Sequence, residues 1–119
     1  MANCVELVGT EKQILWANEI REKHVAAVDN AIAWMQAKVD SRVAAGQQVA
    51  DEVIATHAAI VAYRNAAASF ANASAWIDRR STLFGLFNAT QAAADYGKLR
   101  TWVASPKLFA SSNPILAQL

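Results

Sequence analysis

The sequence predicts an all-α protein: a small helical bundle made of a long antiparallel helical hairpin and two shorter helices. Three observations carry this prediction. Alanine is the commonest residue and only 4 Gly and 2 Pro occur, a composition that favours helix. Hydrophobic residues make up 55% of the chain, enough to form a core rather than a disordered segment. Apolar residues recur at spacings of three and four, the period of an amphipathic helix.

The first helix is expected to begin at Thr10, which is followed three residues later by Gln13. This spacing fits a capping box, in which the hydroxyl and the amide satisfy each other's free backbone donors. Glu11 follows in the first turn, where the helix dipole favours an anion. The predicted inward stripe then consists of Gln13, Trp16, Ala17, Ile20, His24, Ala27, Val28, Ala31, Met35 and Val39.

This helix pattern continues without Gly or Pro until Gly46, which suits the position just after a helix C-terminus. A helix of that length is about 50 Å long, more than a compact domain of this size holds. We therefore expect it either to bend near Asp40 and Ser41 or to project. A projecting helix needs a partner, so both a monomer and a homodimer are open.

A second helix is expected to return antiparallel to the first. Its stripe is Val49, Val53, Ile54, His57, Ile60, Val61, Arg64, Ala67 and Ala68. The segments AAVDNAIA and AAIVAYRNAAASFA place many small side chains on the two helices. Small side chains allow two helix axes to approach closely, so these segments predict the long hairpin.

Two shorter helices are expected in the remainder. Asn72 or Ser74 can cap a third helix that carries AWIDRRSTLF and ends near Gly85. Asn88 with Gln91 is expected to cap a fourth, over roughly residues 89 to 104. Pro106 and the residues after it then predict an irregular tail.

The tail is apolar enough to fold back onto the core, and the alternative is an anchor for another subunit. Its apolar residues are Leu108, Phe109, Ile115, Leu116 and Leu119. We predict one helical domain over residues 1–119, with residues 105–119 an irregular tail packed on it.

Charge, cysteine content and hydropathy narrow the class of protein. The net charge of +1 gives no strong overall field, although residues 72–119 carry five Lys/Arg against two Asp/Glu. A lone Cys4 excludes an internal disulfide framework. The first ten residues do not resemble a signal peptide, and no apolar stretch reaches the length of a membrane helix. These features predict a cytoplasmic protein without membrane attachment.

Catalytic and cofactor motifs are not evident in the sequence. His24 and His57 lack the carboxylate spacing of a bundle metal site, and no HExxH or glycine-rich phosphate loop occurs. We expect both histidines to be hydrogen-bonded residues at the edge of the core. The sequence therefore predicts no metal, no cofactor and no enzymatic activity.

Tryptophans and basic residues are the remaining candidates for binding. Trp16, Trp34, Trp76 and Trp102 are expected to pack in the core, although an exposed tryptophan would suit a protein partner. A basic grouping is the candidate partner-binding site. Its members are Arg79, Arg80, Lys98 and Arg100.

GTEKQILWANEIR and ASAWIDRRS, at residues 9–21 and 73–81, resemble two segments of small bacterial and phage proteins. In those proteins Gly-Ser/Thr-Glu-Lys-Gln is followed by Trp-Ala, and an aromatic-Ile-Asp-x-Arg stretch comes later. The second segment is matched here by Trp76, Ile77, Asp78 and Arg80. The two segments cover about a fifth of the chain.

Some proteins that open with this first segment are inhibitors of type I CRISPR systems, encoded on phages and mobile elements. The resemblance implies a mobile-element protein that binds a type I effector complex or nuclease, and it carries no catalytic residues. The alternative is a nucleic-acid-binding accessory protein that uses the basic C-terminal half.

Two segments that recur together are most simply explained as halves of one structural contact. We therefore predict that Trp76 and Ile77 pack against the turn of the first helix that contains Trp16 and Ile20. Asp78 or Arg80 is expected at the edge of that contact.

Overall fold

A computed structural model describes residues 6–80, 91–110 and 113–118 of the chain. The helices are α1 (Glu11–Ala44), α2 (Asp51–Ser69), α3 (Ala73–Asp78), α4 (Ala92–Ala104) and α5 (Pro106–Phe109), followed by a short 3-10 helix, Leu116–Gln118. The described residues form a small all-α bundle, as predicted.

The N-terminus of α1 forms the predicted capping box. The backbone N–H of Gln13 donates to Thr10 Oγ1 at 3.2 Å, and the Thr10 N–H donates to Gln13 Oε1 at 3.0 Å. The helix then runs unbroken for 34 residues. Because this is about 51 Å at the α-helical rise and the longest dimension of the molecule is 53 Å, α1 spans the whole structure.

The C-terminus of α1 is a Schellman motif, which confirms the position predicted for Gly46. The Gly46 N–H donates to the Val43 carbonyl, and the Gln47 N–H donates to the Arg42 carbonyl. Gly46 has φ of 75°, a backbone conformation that glycine adopts without the strain of a side chain. Of the two alternatives for α1, the structure has the projecting helix, and residues 40–48 are all exposed.

Helix α2 packs antiparallel to α1 and completes the hairpin. His24 lies opposite Tyr63, and Arg64 Nε forms a 2.8 Å ion pair with Asp29 Oδ1. Small residues at the contact, including Ala27 and Ala67, are fully or almost fully buried, which is the close packing that the alanine-rich segments predicted.

Helix α3 is capped by Asn72. The side chain of Asn72 accepts from the Ala75 N–H at 3.2 Å and from Ser74 Oγ at 2.8 Å, so Ser74 supports the cap instead of forming it. Helix α3 ends at Asp78. The predicted continuation to Gly85 lies outside the described residues.

Helix α4 starts at Ala92, with Gln91 in the cap position but without a side-chain capping hydrogen bond. The predicted start at Asn88 lies outside the described residues. Pro106 follows the end of α4 and begins α5, where its missing N–H costs nothing.

The C-terminal segment contributes to the core. Ile115 is fully buried and Leu116 is 2% exposed. Phe109 is partly buried against the core, whereas Leu108 is 72% exposed. The segment is less irregular than predicted, because it contains α5 and the 3-10 helix. Leu119 lies outside the described residues.

Candidate functional site

The two sequence segments meet in the folded chain. Val8 lies next to the first segment, and its N–H donates to the Ala71 carbonyl at 2.7 Å. The Ala73 N–H donates to the Val8 carbonyl at 3.1 Å. A Cβ atom at Gly9 would lie 2.9 Å from Gln13 Oε1 and 3.1 Å from Ala73 Cβ. A side chain at position 9 would therefore require Gln13 Oε1 to move from its place in the capping box and Ala73 to shift slightly.

Trp76 forms the buried centre of this junction. Its indole is fully buried and donates from Nε1 to the Phe70 carbonyl at 3.0 Å. The ring contacts His24 edge-on, with centroids 5.6 Å apart, and Phe70 at 6.0 Å. Trp76 thus contacts α1 at His24, one turn beyond Ile20. Ile20 and Ile77 are both partly buried against the same core.

A buried polar network lies beside Trp76. His24 Nε2 is 2.8 Å from the Tyr63 hydroxyl, and Asn113 Nδ2 donates to the same hydroxyl at 3.0 Å. Burial lowers the pKa of His24 from 6.5 to about 3 and raises the pKa of Tyr63. His24 is therefore neutral at physiological pH, and the network joins α1, α2 and the C-terminal segment.

Trp16 is the exposed part of the junction, which corrects its predicted place on the inward stripe. Its side chain is 47% exposed, and the neighbouring Ala17 takes the fully buried position. The Arg80 guanidinium lies 4.5 Å from the centroid of the Trp16 ring, and Arg80 Nη1 donates to the Ile77 carbonyl at 2.6 Å. Arg80 is thus at the edge of the contact, as predicted.

The remaining residues of the two segments divide between core and surface. Gln13, Ile20 and Ile77 are half-buried, while Asp78 is exposed. Trp16 and Arg80 therefore form a small surface, here called the Trp16–Arg80 patch, on top of a buried contact centred on Trp76.

The four residues of the predicted basic grouping do not form one patch. Arg80 lies over Trp16, whereas Arg100 lines a cleft with Met35. Trp16 and Met35 are separated by about 28 Å along α1 at 1.5 Å per residue. Arg79 and Lys98 are half-buried. The structure thus separates the two exposed arginines of this grouping.

A second surface feature, not anticipated from the sequence, lies between the distal parts of α1 and α2. Its floor consists of Met35, Val39, Val49 and Val53, and Lys38 and Arg42 stand at its rim. It continues past Met35 and Val53 to Tyr96 and Arg100 of α4. We call this feature the distal groove.

The other tryptophans and the second histidine have structural positions. Trp102 is 5% exposed and packs on Tyr63. Trp34 is half-buried with its ring 5.8 Å from that of Tyr96. His57 is half-buried and stacks on Tyr96, so it lies at the core edge as expected. The expected hydrogen bond is not seen at its buried Nδ1, which has no partner among the described residues.

Within the described ranges, no cluster of three or more His, Cys, Asp or Glu could hold a metal ion. None of the helices in those ranges has the length and apolar content needed to cross a membrane.

No protein-family model, curated protein or solved structure matches the chain.

Proposed function

We propose that the chain is a non-catalytic protein-interaction inhibitor that binds its partner through the Trp16–Arg80 patch. The observation that carries the proposal is the exposure of a tryptophan, at 47%, at the junction of the two segments. Both segments resemble those of small bacterial and phage proteins, and some proteins that open with the first segment are inhibitors. Trp and Arg are over-represented among the residues that supply most of the binding free energy in protein interfaces.

The patch is held in place before any partner binds. Arg80 lies on the Trp16 ring and is also anchored to the carbonyl of Ile77. Trp76 is fully buried, and its packing holds α3, which precedes Arg80, against the core. A patch that is already ordered loses less conformational entropy on binding, which favours affinity.

In its most specific form, the proposal is that the partner is a type I CRISPR effector complex or its nuclease, and that the chain comes from a phage or mobile element. This part rests on the resemblance of the two segments. A plasmid-interference assay with an intact type I system tests it. We expect expression of the chain to restore plasmid survival, and unimpaired interference at high expression would contradict the specific claim.

The role of the patch is tested separately by Trp16→Ala. We expect this variant to lose inhibition while still unfolding cooperatively, because about half of the Trp16 side chain already faces solvent. Leu15→Ala is the matched control, since Leu15 is 67% exposed and points about 100° away from Trp16 around the helix. Equal loss of inhibition in both variants, or full inhibition by Trp16→Ala, would contradict a specific role for the patch.

A nucleic-acid-binding accessory protein is the alternative function, and its supporting observation is the excess of basic residues after position 72. The separation of Arg80 from Arg100 weakens this alternative. Affinity for DNA or RNA that falls steeply with salt would favour it, because each neutralised phosphate releases counterions. Absence of binding at low salt would eliminate it.

A further inference from the structure

The distal groove has the form of a helix-binding site. Met35 and Val39 are four residues apart on α1. Val49 lies in the loop just before α2, and Val53 lies in the first turn of α2. All four side chains are half-buried, so the two helices leave an apolar channel between them. A channel of this kind accepts the apolar stripe of an amphipathic helix, with its residues at positions i, i+3 or i+4, and i+7.

The charge around the groove indicates the chemistry of its occupant. Lys38, Arg42 and Arg100 line the groove and its continuation. Among the described residues that line them, Glu52 is the only acidic one. The Lys38 ammonium lies 4.2 Å from the centroid of the Trp34 ring, and no carboxylate pairs with it among the residues that the structure describes. Asp40 is exposed and accepts from Gln36, and neither lines the groove. The cations at the rim therefore lack a matching set of carboxylates in the groove itself.

We propose that the distal groove binds an acidic amphipathic helix of a partner protein. The apolar stripe of that helix lies on Met35, Val39 and Val53, and its flanking Asp and Glu side chains pair with Lys38 and Arg42. Complementary charge gives such a complex its orientation and its selectivity for acidic over basic helices.

This inference goes beyond the proposed function, because the groove and the Trp16–Arg80 patch are about 28 Å apart along α1. The groove would bind its helix whether or not the chain inhibits a CRISPR system. Failure of one assay therefore does not imply failure of the other.

The test is a selection from a display library of random peptides of about 16 residues, long enough for roughly four helical turns. Peptides are selected on the full chain and counter-selected against Val53→Asp. We expect the surviving peptides to carry net negative charge and apolar residues at helical spacing. Peptides that are neutral or basic, or a library without any peptide that distinguishes the two proteins, would overturn the proposal.

The selected peptides are then titrated against charge-reversal variants. We expect Lys38→Glu and Arg42→Glu each to weaken binding by about tenfold, which corresponds to about 1.4 kcal/mol. Lys23→Glu is the matched control, because Lys23 is an exposed α1 residue outside the groove, and it should leave binding unchanged. An equal loss with Lys23→Glu would reduce the effect to overall charge and contradict a groove.

Val53→Asp is expected to fold, because position 53 lies in the first turn of α2, where the helix dipole favours a carboxylate. Its thermal unfolding is measured beside the wild type. If Val53→Asp is unfolded, Val39→Asp replaces it in the counter-selection. A second copy of the chain is the other possible occupant of the groove, and sedimentation of the wild type and Val53→Asp tests it. If the wild type is a dimer and Val53→Asp is a monomer, the groove binds a second copy and the proposal is overturned.

Discussion

The two halves of the hairpin differ sharply in burial although α1 runs through both as one helix. Seven residues of α1 are buried, and the last of them is Ala31. In α2 the four buried residues begin at Ile60. The proximal half is therefore core, whereas the distal half, from the loop back to about Met35 and Val53, has no fully buried residue.

The difference shows that helix formation and burial have separate causes in this chain. Alanine content, the capping box and the Schellman motif hold α1 together along its whole length by local interactions. Burial occurs only where α3, α4 and the C-terminal segment cover the hairpin. The distal half remains helical, and the distal groove between its two arms stays open.

The largest effect is expected from removing the central side chain of the proximal half. Trp76→Ala should lower the free energy of unfolding by about 3–5 kcal/mol, as for other large aromatic truncations in a core. Such a loss exceeds the margin of many small domains. Thermal unfolding followed by circular dichroism measures it, and a wild-type melting curve would contradict the central role given to Trp76.

A pair of isoleucines on α2 compares the two halves directly. Ile60 is fully buried and Ile54 is 55% exposed. We expect Ile60→Ala to cost about 2–5 kcal/mol and Ile54→Ala to change the free energy of unfolding by no more than about 0.5 kcal/mol. Denaturant titrations of the two variants measure these values. Equal losses would show that the distal half is as tightly packed as the proximal half.

The third prediction concerns pH and the buried network of the proximal half. The pKa of His24 is lowered from 6.5 to about 3 by burial, so below pH 6.5 the unfolded chain binds a proton that the folded chain does not. Stability is therefore lost as the pH falls from about 6.5 towards 3. Between pH 7 and pH 5 we expect the free energy of unfolding to fall by about 2 kcal/mol from this group.

His24→Gln is the control for that pH dependence. The variant loses the hydrogen bond of His24 to Tyr63, which lowers stability at neutral pH. It also removes the titrating group, so the fall between pH 7 and pH 5 should shrink by about 2 kcal/mol relative to wild type. Chemical unfolding at several pH values gives the slope. An unchanged slope in the variant would assign the pH dependence to other groups.

Two glycine substitutions are expected to have smaller effects than the core truncations, and the first lies at the tip of the distal half. Gly46→Ala should cost about 1–2 kcal/mol, because φ of 75° strains any residue with a side chain. Gly97→Ala should have the opposite sign, stabilising by up to about 1 kcal/mol. Gly97 lies within α4, and none of the described residues lies within 4 Å of its new Cβ. The free energies of unfolding of both variants are measured by denaturant titration. A loss of stability in both variants, or a gain in both, would contradict this prediction.

Much of the hairpin was predictable because its signals are local. The Thr10–Gln13 pair and Gly46 are separated from their partners by a few residues, and their geometry follows from backbone chemistry alone. The Trp76 contact was only partly predictable. The sequence indicated that the two segments meet, but the register, with Trp76 on His24 and Arg80 on Trp16, depends on where the backbone pairing of Val8 with Ala71 and Ala73 places α3.

Arg21 shows why burial could not be inferred from the pattern. It lies in the polar run EIREK, which is typical of a solvent-facing turn, yet it is only 3% exposed. Arg21 Nη1 is 3.5 Å from the Ala68 carbonyl, near the C-terminal end of α2. A cation is stabilised there by the helix dipole, but only the packing of α2 on α1 brings the two together.

By itself the sequence determined that the chain is helical and where α1 begins and ends, because these features depend on residues close together in the chain. The tertiary structure decided which faces are covered. It exposed Trp16, separated Arg80 from Arg100, and opened the distal groove between α1 and α2. These outcomes depend on the register and length at which helices distant in sequence pack, and no local pattern specifies that packing.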